Sequence, residues 1–318
     1  MKAITLKSAG GVENLVLEAL EVPTLGSNEV LVQVKAISIN PVDAFVRGNE
    51  EVLNKYLQLQ PGESPVIIGW DISGVVTKTG TSVSKFKEGD EVFGMVKFPG
   101  HGKAYAEYVA APASHLALKP ENISHEEAAA ATLAALTAWQ GLVTYGKVQK
   151  NDKVLIDAAG GGVGHYAIQI AKHFGAYVIG IASDAKKELV LGLGADEHLD
   201  YNRIKFEGQV KDADLVLDSH FDADHLSRSI DATKTGGRII SLLAFFEGEL
   251  AEKAKAKDLY TKRMSVVSSG EDMEALAGLL QSGALQSYVS ATFPFDEMSK
   301  AHEQVSTGKT AGKIVVTL

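Results

Sequence analysis

The chain has 318 residues, of which 45% are hydrophobic and 22% charged, which is an ordinary globular composition and enough for two domains. The net charge of −9 argues against a nucleic-acid-binding protein. The chain has no cysteine, which excludes disulfides, thiolate nucleophiles and cysteine-ligated zinc. No segment approaches the roughly 20 apolar residues that span a bilayer, and the N-terminus lacks an apolar signal core. We expect a cytoplasmic protein that binds no membrane.

Residues 1 to about 120 predict a β-rich domain. The segment "MKAITLKSAGG" is predicted as the first strand, and "EVLVQVKAISI" alternates and is rich in β-branched residues. "SGVVTKTG" and "EYVAAP" are short strands between glycine and proline signals, and "KEGDEVFG" is a turn that leads into a strand.

The pattern changes near residue 123. Ser124 is a candidate N-cap with Glu127 three residues later, which is a capping box, and the following residues to about 143 are predicted to be helical. Strands and helices then alternate, which predicts βαβ units and a parallel sheet: "DKVLIDAA", "GHYAIQIAKHFG", "YVIGIAS", "AKKELVLGLG", "ADLVLDS" and "GGRIISLLA". "AEKAKAKDLYTKR" predicts a solvated helix face and "MEALAGLLQSG" a helix. The final strand, "GKIVVTL", is expected to rejoin the first domain.

A glycine-rich turn follows the first buried strand of the alternating region. Gly160, Gly161, Gly162 and Gly164 stand between the strand "VLI" and an amphipathic helix, with Ala159 in the place of the first glycine of a dinucleotide-binding motif. In such a motif, Gly161 lets the backbone approach a pyrophosphate and Gly164 lets the helix pack on the strand. The alternative, a merely structural turn, is disfavoured because the strand and helix are both present.

The second strand of this region bears on the choice of nicotinamide cofactor. It ends at Ala182 and Ser183 without the acid that usually holds the ribose 2′-hydroxyl of NAD. Ser183, Lys186 and Lys187 predict a 2′-phosphate site and favour NADPH. Asp184 would repel that phosphate, and the lysines could instead be a solvated helix start.

Seven segments occur in an order that resembles the zinc-independent quinone oxidoreductase (zeta-crystallin-like) branch of the medium-chain dehydrogenase/reductase superfamily. They cover essentially the whole chain: "AISINPVDAFVRG", "PVIIGWDISGVV", "GKAYAEYV", "TAWQGL", "AAGGGVGHYAIQIAKHFGA", "LGADEHLDY" and "GKIVV". The resemblance implies an α/β fold in which a Rossmann domain (123–264) is inserted into a GroES-like domain (1–122 and 265–318). It also implies hydride transfer from NADPH to a quinone, enone or similar activated carbonyl compound.

The resemblance, together with the residues themselves, indicates the site residues. Asn40 stands near the first cysteine ligand of zinc-dependent relatives and would line the nicotinamide pocket, with Thr137 beside the carboxamide. Asn40 and Tyr105 are the candidate catalytic residues, and no metal is expected. The candidate cofactor-binding residues are Asn40, Thr137, Gly161, Gly162, Val163, Gly164, Ser183, Lys186, Lys187, Tyr201, Ser219, Leu243 and Ala244. His165 departs from the serine common in the branch, and His101 lies in a divergent loop.

Alternative interpretations remain for several of these residues. Asn40 could be a turn residue before Pro41, and Tyr105 could be a packed aromatic residue. Asp43 is interpreted as a buried structural partner. The segment "DSHFDADH" contains potential metal ligands, although a loop beside the cofactor is the favoured interpretation. The chain could also be a non-catalytic NADPH-binding protein. A homodimer joined through the strand-like "RMSVVSS" is expected from the resemblance.

Overall fold

A computed structural model describes residues 1–60 and 62–318. The chain divides into two compact units, and the first comprises residues 1–136 and 267–318. The second comprises residues 137–266. The first boundary lies later than the predicted 122/123, because the helix His125–Ala130 packs on two central strands of the first unit. The second boundary lies within two residues of the predicted position.

Unit 1 is β-rich, as predicted. With elements numbered along the whole chain, its strands are β1 (Lys2–Leu6), β2 (Leu15–Ala19), β3 (Glu29–Ile39), β4 (Asp71–Thr79), β5 (Glu91–Met95), β6 (Tyr108–Pro112), β7 (Leu116–Leu118), β14 (Val289–Pro294) and β15 (Lys313–Thr317). Its helices are α1 (Pro41–Gly48), α2 (Glu50–Leu57), α3 (His125–Ala130), α10 (Gly270–Gln281) and α11 (Met298–Ser306). The sequence analysis did not predict α1, α2 or α11.

The main sheet of unit 1 has the strand order β14-β15-β3-β4-β5-β7, and β6 also pairs with β3. Strand β15 is antiparallel to β3, with Ile314 opposite Ile39, so the C-terminal strand rejoins the first domain as predicted. Helix α3 packs through Ala129 and Ala130 against Ala36 of β3, because small side chains let the helix approach the sheet closely.

Unit 2 is a parallel α/β domain. Its strands are β8 (Lys153–Ile156), β9 (Tyr177–Ala182), β10 (Glu197–Asp200), β11 (Ala213–Asp218), β12 (Thr233–Ser241) and β13 (Tyr260–Arg263). Its helices are α5 (Gly164–His173), α6 (Lys187–Gly192), α7 (Phe206–Gln209), α8 (Ala223–Ala232) and α9 (Gly248–Ala256), and α4 (Leu133–Trp139) crosses the unit boundary.

The sheet of unit 2 has the order β10-β9-β8-β11-β12-β13, and every neighbouring pair is parallel. Counted from β8, this is the order 3-2-1-4-5-6 of a Rossmann fold. The predicted fold class is therefore confirmed. The chain leaves β8 and β11 in opposite directions, so the carboxyl ends of these two strands border the crevice in which such sheets bind ligands.

Three predicted elements differ from the structure. The helical run after Ser124 is broken after α3, and α4 continues as a π-helix over Gln140–Tyr145. Residues 251–263, predicted as a solvated helix face, contain the end of α9 and then β13. In the segment "RMSVVSS", only Arg263 belongs to a strand. The described residues contain no helix both long and apolar enough to span a membrane.

Candidate cofactor and catalytic sites

The glycine turn brings α5 into close contact with the end of β8. A Cβ atom on Gly164 would lie 2.3 Å from the carbonyl oxygen of Ala158 and 2.6 Å from Cα of Ala159. Both are backbone atoms that cannot move aside, so only glycine permits this approach. The backbone N–H of Ala159 donates to the carbonyl of Ile181 (2.9 Å), which fixes the turn to β9.

Gly161 faces a more open space than Gly164. A Cβ atom there would lie 3.1 Å from the Ala158 carbonyl oxygen and 4.0 Å from Ala158 Cβ, with no other described atom within 4 Å apart from those of the adjacent residues. The turn therefore leaves open space next to Gly161. His165, the residue that departs from the family pattern, lies in α5 with Nδ1 3.0 Å from the Gly161 carbonyl oxygen. The turn thus fits a pyrophosphate at the helix N-terminus.

Lys186 packs over the glycine turn. A Cβ atom on Gly160 would lie 2.8 Å from Cδ and 2.9 Å from Cβ of Lys186, so the aliphatic part of this lysine covers the turn. Partial burial lowers the pKa of the Lys186 ammonium below its usual value. Ser183 precedes the 3₁₀ turn Asp184–Lys186 and accepts a backbone hydrogen bond from Lys186 (2.9 Å). Lys186 therefore lies beside the glycine turn, and Ser183 is bonded to it through the backbone.

The carboxylate of Asp184, which complicated the NADPH prediction, is near an arginine that sequence reasoning missed. Arg203 Nη2 lies 3.5 Å from Asp184 Oδ2, and Arg203 Nε lies 3.3 Å from Asp200 Oδ2. Strand pairing aligns Asp200 with Ala182, so Tyr201 and Arg203 follow β10 beside the end of β9. Tyr201 is exposed. Arg203 therefore offsets the negative charge of Asp184.

The other predicted cofactor residues of unit 2 follow strand ends or lie in α4. Ser219 follows β11, and Leu243 and Ala244 follow β12, at the carboxyl edge of the sheet. The Ser241 hydroxyl donates to the Ala244 carbonyl oxygen (2.8 Å), which shapes the turn after β12. Thr137 is buried in α4.

Unit 1 contains a cluster of buried polar side chains, in which Asn40 lies between a carboxylate and an ammonium. The Asn40 amide nitrogen donates to Asp71 Oδ2 (2.7 Å), and the Lys313 ammonium donates to the Asn40 amide oxygen. Asp71 Oδ1 also accepts the backbone N–H of Leu133 (3.1 Å). Asn40 directly follows β3, Asp71 begins β4 and Lys313 begins β15, so strand pairing assembles the cluster. The amide orientation of Asn40 is fixed by its two charged partners.

Asp43 extends this cluster into α1. Its Oδ2 accepts the backbone N–H of Asn40 (2.6 Å), and no described residue donates a well-oriented hydrogen bond to its Oδ1. Burial, and then the neighbouring Asp71, raises the pKa of Asp43 to about 7. Burial also lowers the pKa of the Lys313 ammonium, while Asp71 and Asp43 act in the opposite direction.

Tyr105 lies within the same buried cluster. Its hydroxyl is 2.9 Å from Nε2 of His302, and Nδ1 of His302 accepts a hydrogen bond from Nε of Arg47 (3.3 Å). Burial, and then Arg47, lowers the pKa of His302 to about 3, so this imidazole is neutral and carries its proton on Nε2. Burial and Asp43 raise the pKa of Tyr105 well above its usual value. The Tyr105 hydroxyl is therefore a neutral hydrogen-bonding group within this network.

The structure brings the candidate catalytic residues Asn40 and Tyr105 into one network, because Asp43 influences both. It does not add His101 to that network. Both ring nitrogens of His101 are engaged elsewhere, Nδ1 at 2.9 Å from Glu63 Oε1 and Nε2 at 2.9 Å from the Ile67 carbonyl oxygen. Sequence reasoning missed Lys313 and His302, which contact the site from a distant part of the chain.

Two family models match the chain: an alcohol dehydrogenase GroES-like domain over residues 26–121 and a zinc-binding dehydrogenase domain over 193–316. A 2-methylene-furan-3-one reductase of Solanum lycopersicum is 34% identical, over 99% of this chain and 79% of the relative. An NADPH-dependent alkenal/one oxidoreductase, chloroplastic, of Arabidopsis thaliana matches to the same identity and extent. The solved quinone oxidoreductase of Coxiella burnetii is 34% identical, with a TM-score of 0.91 over 100% of this chain and 99% of that one.

These matches define an oxidoreductase built on a GroES-like domain and a Rossmann-type domain. The chain belongs to the quinone oxidoreductase group of the medium-chain dehydrogenase/reductase superfamily.

The family description names zinc, so the donor set around Asn40 bears on whether the metal fits there. The chain has no cysteine, and the Asn40 amide oxygen already receives the buried ammonium of Lys313. A cation in that position repels a second one. The cluster around Asn40 therefore does not fit a zinc ion.

Proposed function

We propose that the protein transfers hydride from NADPH to a quinone, enone or similarly activated carbonyl compound, without zinc at the reacting centre. The observation that carries this proposal is the glycine turn at the crevice between β8 and β11, with Lys186 packed over it. The named activities of the relatives in tomato and Arabidopsis, an enone-type reductase and an NADPH-dependent alkenal/one oxidoreductase, support the same reaction class.

The chain supplies binding and orientation to this reaction, and the nicotinamide supplies the hydride when bound. Gly161, Gly162, Val163 and Gly164 hold the pyrophosphate against the N-terminus of α5. Ser183, Lys186, Lys187 and Tyr201 receive the 2′-phosphate, with Arg203 offsetting Asp184. These contacts favour NADPH because the phosphate carries charge that NADH lacks.

In the proposed site, Asn40 lines the nicotinamide pocket and Tyr105 acts with it through the buried network. The Asn40 amide is held by Asp71 and Lys313, so it is pre-oriented and costs no reordering on binding. No observation favours the non-catalytic alternative. A homodimer and a cytoplasmic location remain part of the proposal.

Paired titration of the purified protein with NADPH and NADH, followed by fluorescence, tests the cofactor preference. Lys186→Ala is expected to weaken NADPH binding about tenfold, which corresponds to about 1.4 kcal/mol, and to leave NADH binding nearly unchanged. Lys211→Ala removes an exposed lysine of the same unit and is the matched control. Equal affinity for both cofactors in the unaltered protein would refute the NADPH preference.

A panel of quinones and enones then tests the reaction. Saturable oxidation of NADPH with an acceptor is the expected result, measured by the loss of its absorbance. Tight NADPH binding without turnover of any acceptor would support the non-catalytic alternative.

A further inference from the structure

Three metal-binding side chains converge at the carboxyl edge of the unit 2 sheet. Asp157 directly follows β8, His220 follows β11, and His225 lies in the first turn of α8. Their ligand atoms all lie within 4.8 Å of one another. Asp157 Oδ2 is 2.9 Å from His220 Nε2 and 3.6 Å from His225 Nε2. Because β8 and β11 are adjacent and parallel, the topology alone brings their carboxyl ends together.

His225 is held by a second carboxylate in an orientation typical of a metal ligand. Its Nδ1 lies 3.1 Å from Oδ2 of Asp218, and the same oxygen accepts the hydroxyl of Ser229 (2.6 Å). A carboxylate partner requires the proton of a neutral imidazole to be on Nδ1, so Nε2 presents its lone pair. Carboxylate–histidine pairs of this kind orient the ligating ring in metal sites.

Without a cation, the nearest partner of the buried Asp157 carboxylate is the half-exposed His220, whose Nε2 lies 2.9 Å from Asp157 Oδ2. Asp157 is 2% exposed, and no described residue donates a well-oriented hydrogen bond to its Oδ2. His225 Nε2 lies 3.6 Å from the same oxygen. A buried carboxylate oxygen with no better partner than this ion pair is incompletely satisfied, and a metal ion between the three side chains would bind all of them.

We propose that Asp157, His220 and His225 bind a first-row divalent cation, with Zn²⁺ as the representative ion. Tetrahedral Zn²⁺ with ligand bonds of about 2.05 Å places its ligand atoms roughly 3.3 Å apart. The observed 2.9 and 3.6 Å separations bracket this spacing, so small side-chain shifts complete the site. Two imidazoles and one carboxylate leave a fourth position for water, and the half-exposed His220 leaves the site open to solvent.

This site differs from the Asn40 cluster, where the donors do not fit zinc. It also does not include Asp222 and Asp224 of the "DSHFDADH" segment. Asp222 accepts the backbone N–H of Asp224 (3.0 Å) and serves as the N-cap of α8. The ligand set therefore includes Asp157, a residue more than sixty positions away that the sequence analysis did not connect with this segment.

Equilibrium dialysis of chelator-treated protein against Zn²⁺, with the bound metal measured by mass spectrometry, tests the site. One saturable equivalent per chain is expected. His220→Ala and Asp157→Asn should each weaken binding about a hundredfold or more, and Asp218→Asn by about ten- to a hundredfold through loss of ring orientation. His173→Ala removes an exposed histidine on α5 and should leave binding unchanged.

Co²⁺ provides a readout that is independent of affinity. Protein loaded with Co²⁺ should show visible absorption bands typical of a four-coordinate site, and His220→Ala should abolish them. Added Zn²⁺ should raise the melting temperature of the unaltered protein but not that of His220→Ala. Failure of the unaltered protein to bind one equivalent, or equal binding by His220→Ala and His173→Ala, would overturn the proposal. Neither result depends on NADPH binding, so the cofactor proposal is tested separately.

Discussion

The two sheets of the molecule hold their polar side chains in different environments. In unit 1, Asp71 and Lys313 are almost fully buried and are bridged by Asn40. In unit 2, Lys186 and His220 lie at the carboxyl edge of the sheet and are partly or largely exposed. Buried charges must be paired within the chain, whereas charged groups at an open strand edge also stay in contact with solvent. The comparison indicates an internal role for the first cluster and is consistent with the ligand binding proposed for the second.

Removing the ammonium from the unit 1 cluster should have the largest effect. Lys313→Met keeps a similar volume but leaves Asp71 as a buried charge without its cation. We expect the free energy of unfolding to fall by about 3–5 kcal/mol, measured in urea. Lys309→Met, at an exposed position close by, should change it by less than about 0.5 kcal/mol. A similarly small loss for Lys313→Met would show that the cluster does not depend on charge pairing.

The second prediction concerns the pH dependence of unit 1. Asp43 titrates near 7 in the folded protein and near 3.9 when unfolded, so the folded state holds the extra proton between these values. Its stabilising contribution is complete below about pH 4 and is lost as the pH rises through about 7. The difference is at most about 4 kcal/mol. Asp43→Asn should remove this part of the pH dependence, measured by urea unfolding at pH 5 and pH 8.

Asp71, Lys313 and Tyr105 face Asp43 and are retained in this variant, so the change isolates one carboxyl group. Asp296→Asn alters an exposed carboxylate of the same unit and should leave the pH dependence as it is. Parallel pH profiles for Asp43→Asn and the unaltered protein would contradict the raised pKa.

The glycine turn of unit 2 should respond to added volume. Gly164→Ala places Cβ 2.3 Å from the Ala158 carbonyl oxygen, so α5 must move away from β8. We expect a loss of about 1–3 kcal/mol in the free energy of unfolding and weaker NADPH binding. Gly192→Ala, where no atom lies within 4 Å of the new Cβ, is the control and should have little effect. Unchanged NADPH affinity in Gly164→Ala would show that the glycine turn is not part of the cofactor site.

The same contrast explains how much the sequence could predict. The strand, turn and helix around Gly164 are contiguous, so their pattern predicted both the turn and its place in a parallel sheet. The unit 1 cluster joins Asn40 to Lys313, which are far apart in the chain and meet only through the pairing of β3 with β15. No local pattern records that pairing, although the resemblance to a known family indicated Asn40.

Other predictions failed where tertiary packing overrides local pattern. A helix begins after Ser124 as predicted, but it ends at Ala130. At this break the Thr132 hydroxyl donates to the Ala129 carbonyl oxygen (2.7 Å). The sequence analysis singled out the segment with the two histidines of the Asp157–His220–His225 cluster. It did not include Asp157, because that carboxylate follows a different strand. Contiguous motifs can be predicted from sequence, and contacts between strands require the fold.

The capping box at the start of α3 is a contiguous motif in unit 1, and it offers the smallest effect. Ser124 Oγ accepts the backbone N–H of Glu127 (3.1 Å), and Glu127 Oε2 accepts that of Ser124 (2.8 Å), as predicted. Ser124→Ala should lower the free energy of unfolding by about 1 kcal/mol, because one helical N–H loses its partner at a solvated position. Ser84→Ala, at an exposed site, should cost only a few tenths. A loss of unfolding free energy as large as that of Lys313→Met would mean that α3 holds the buried cluster in place. The contrast between contiguous motifs and contacts between distant strands would then fail.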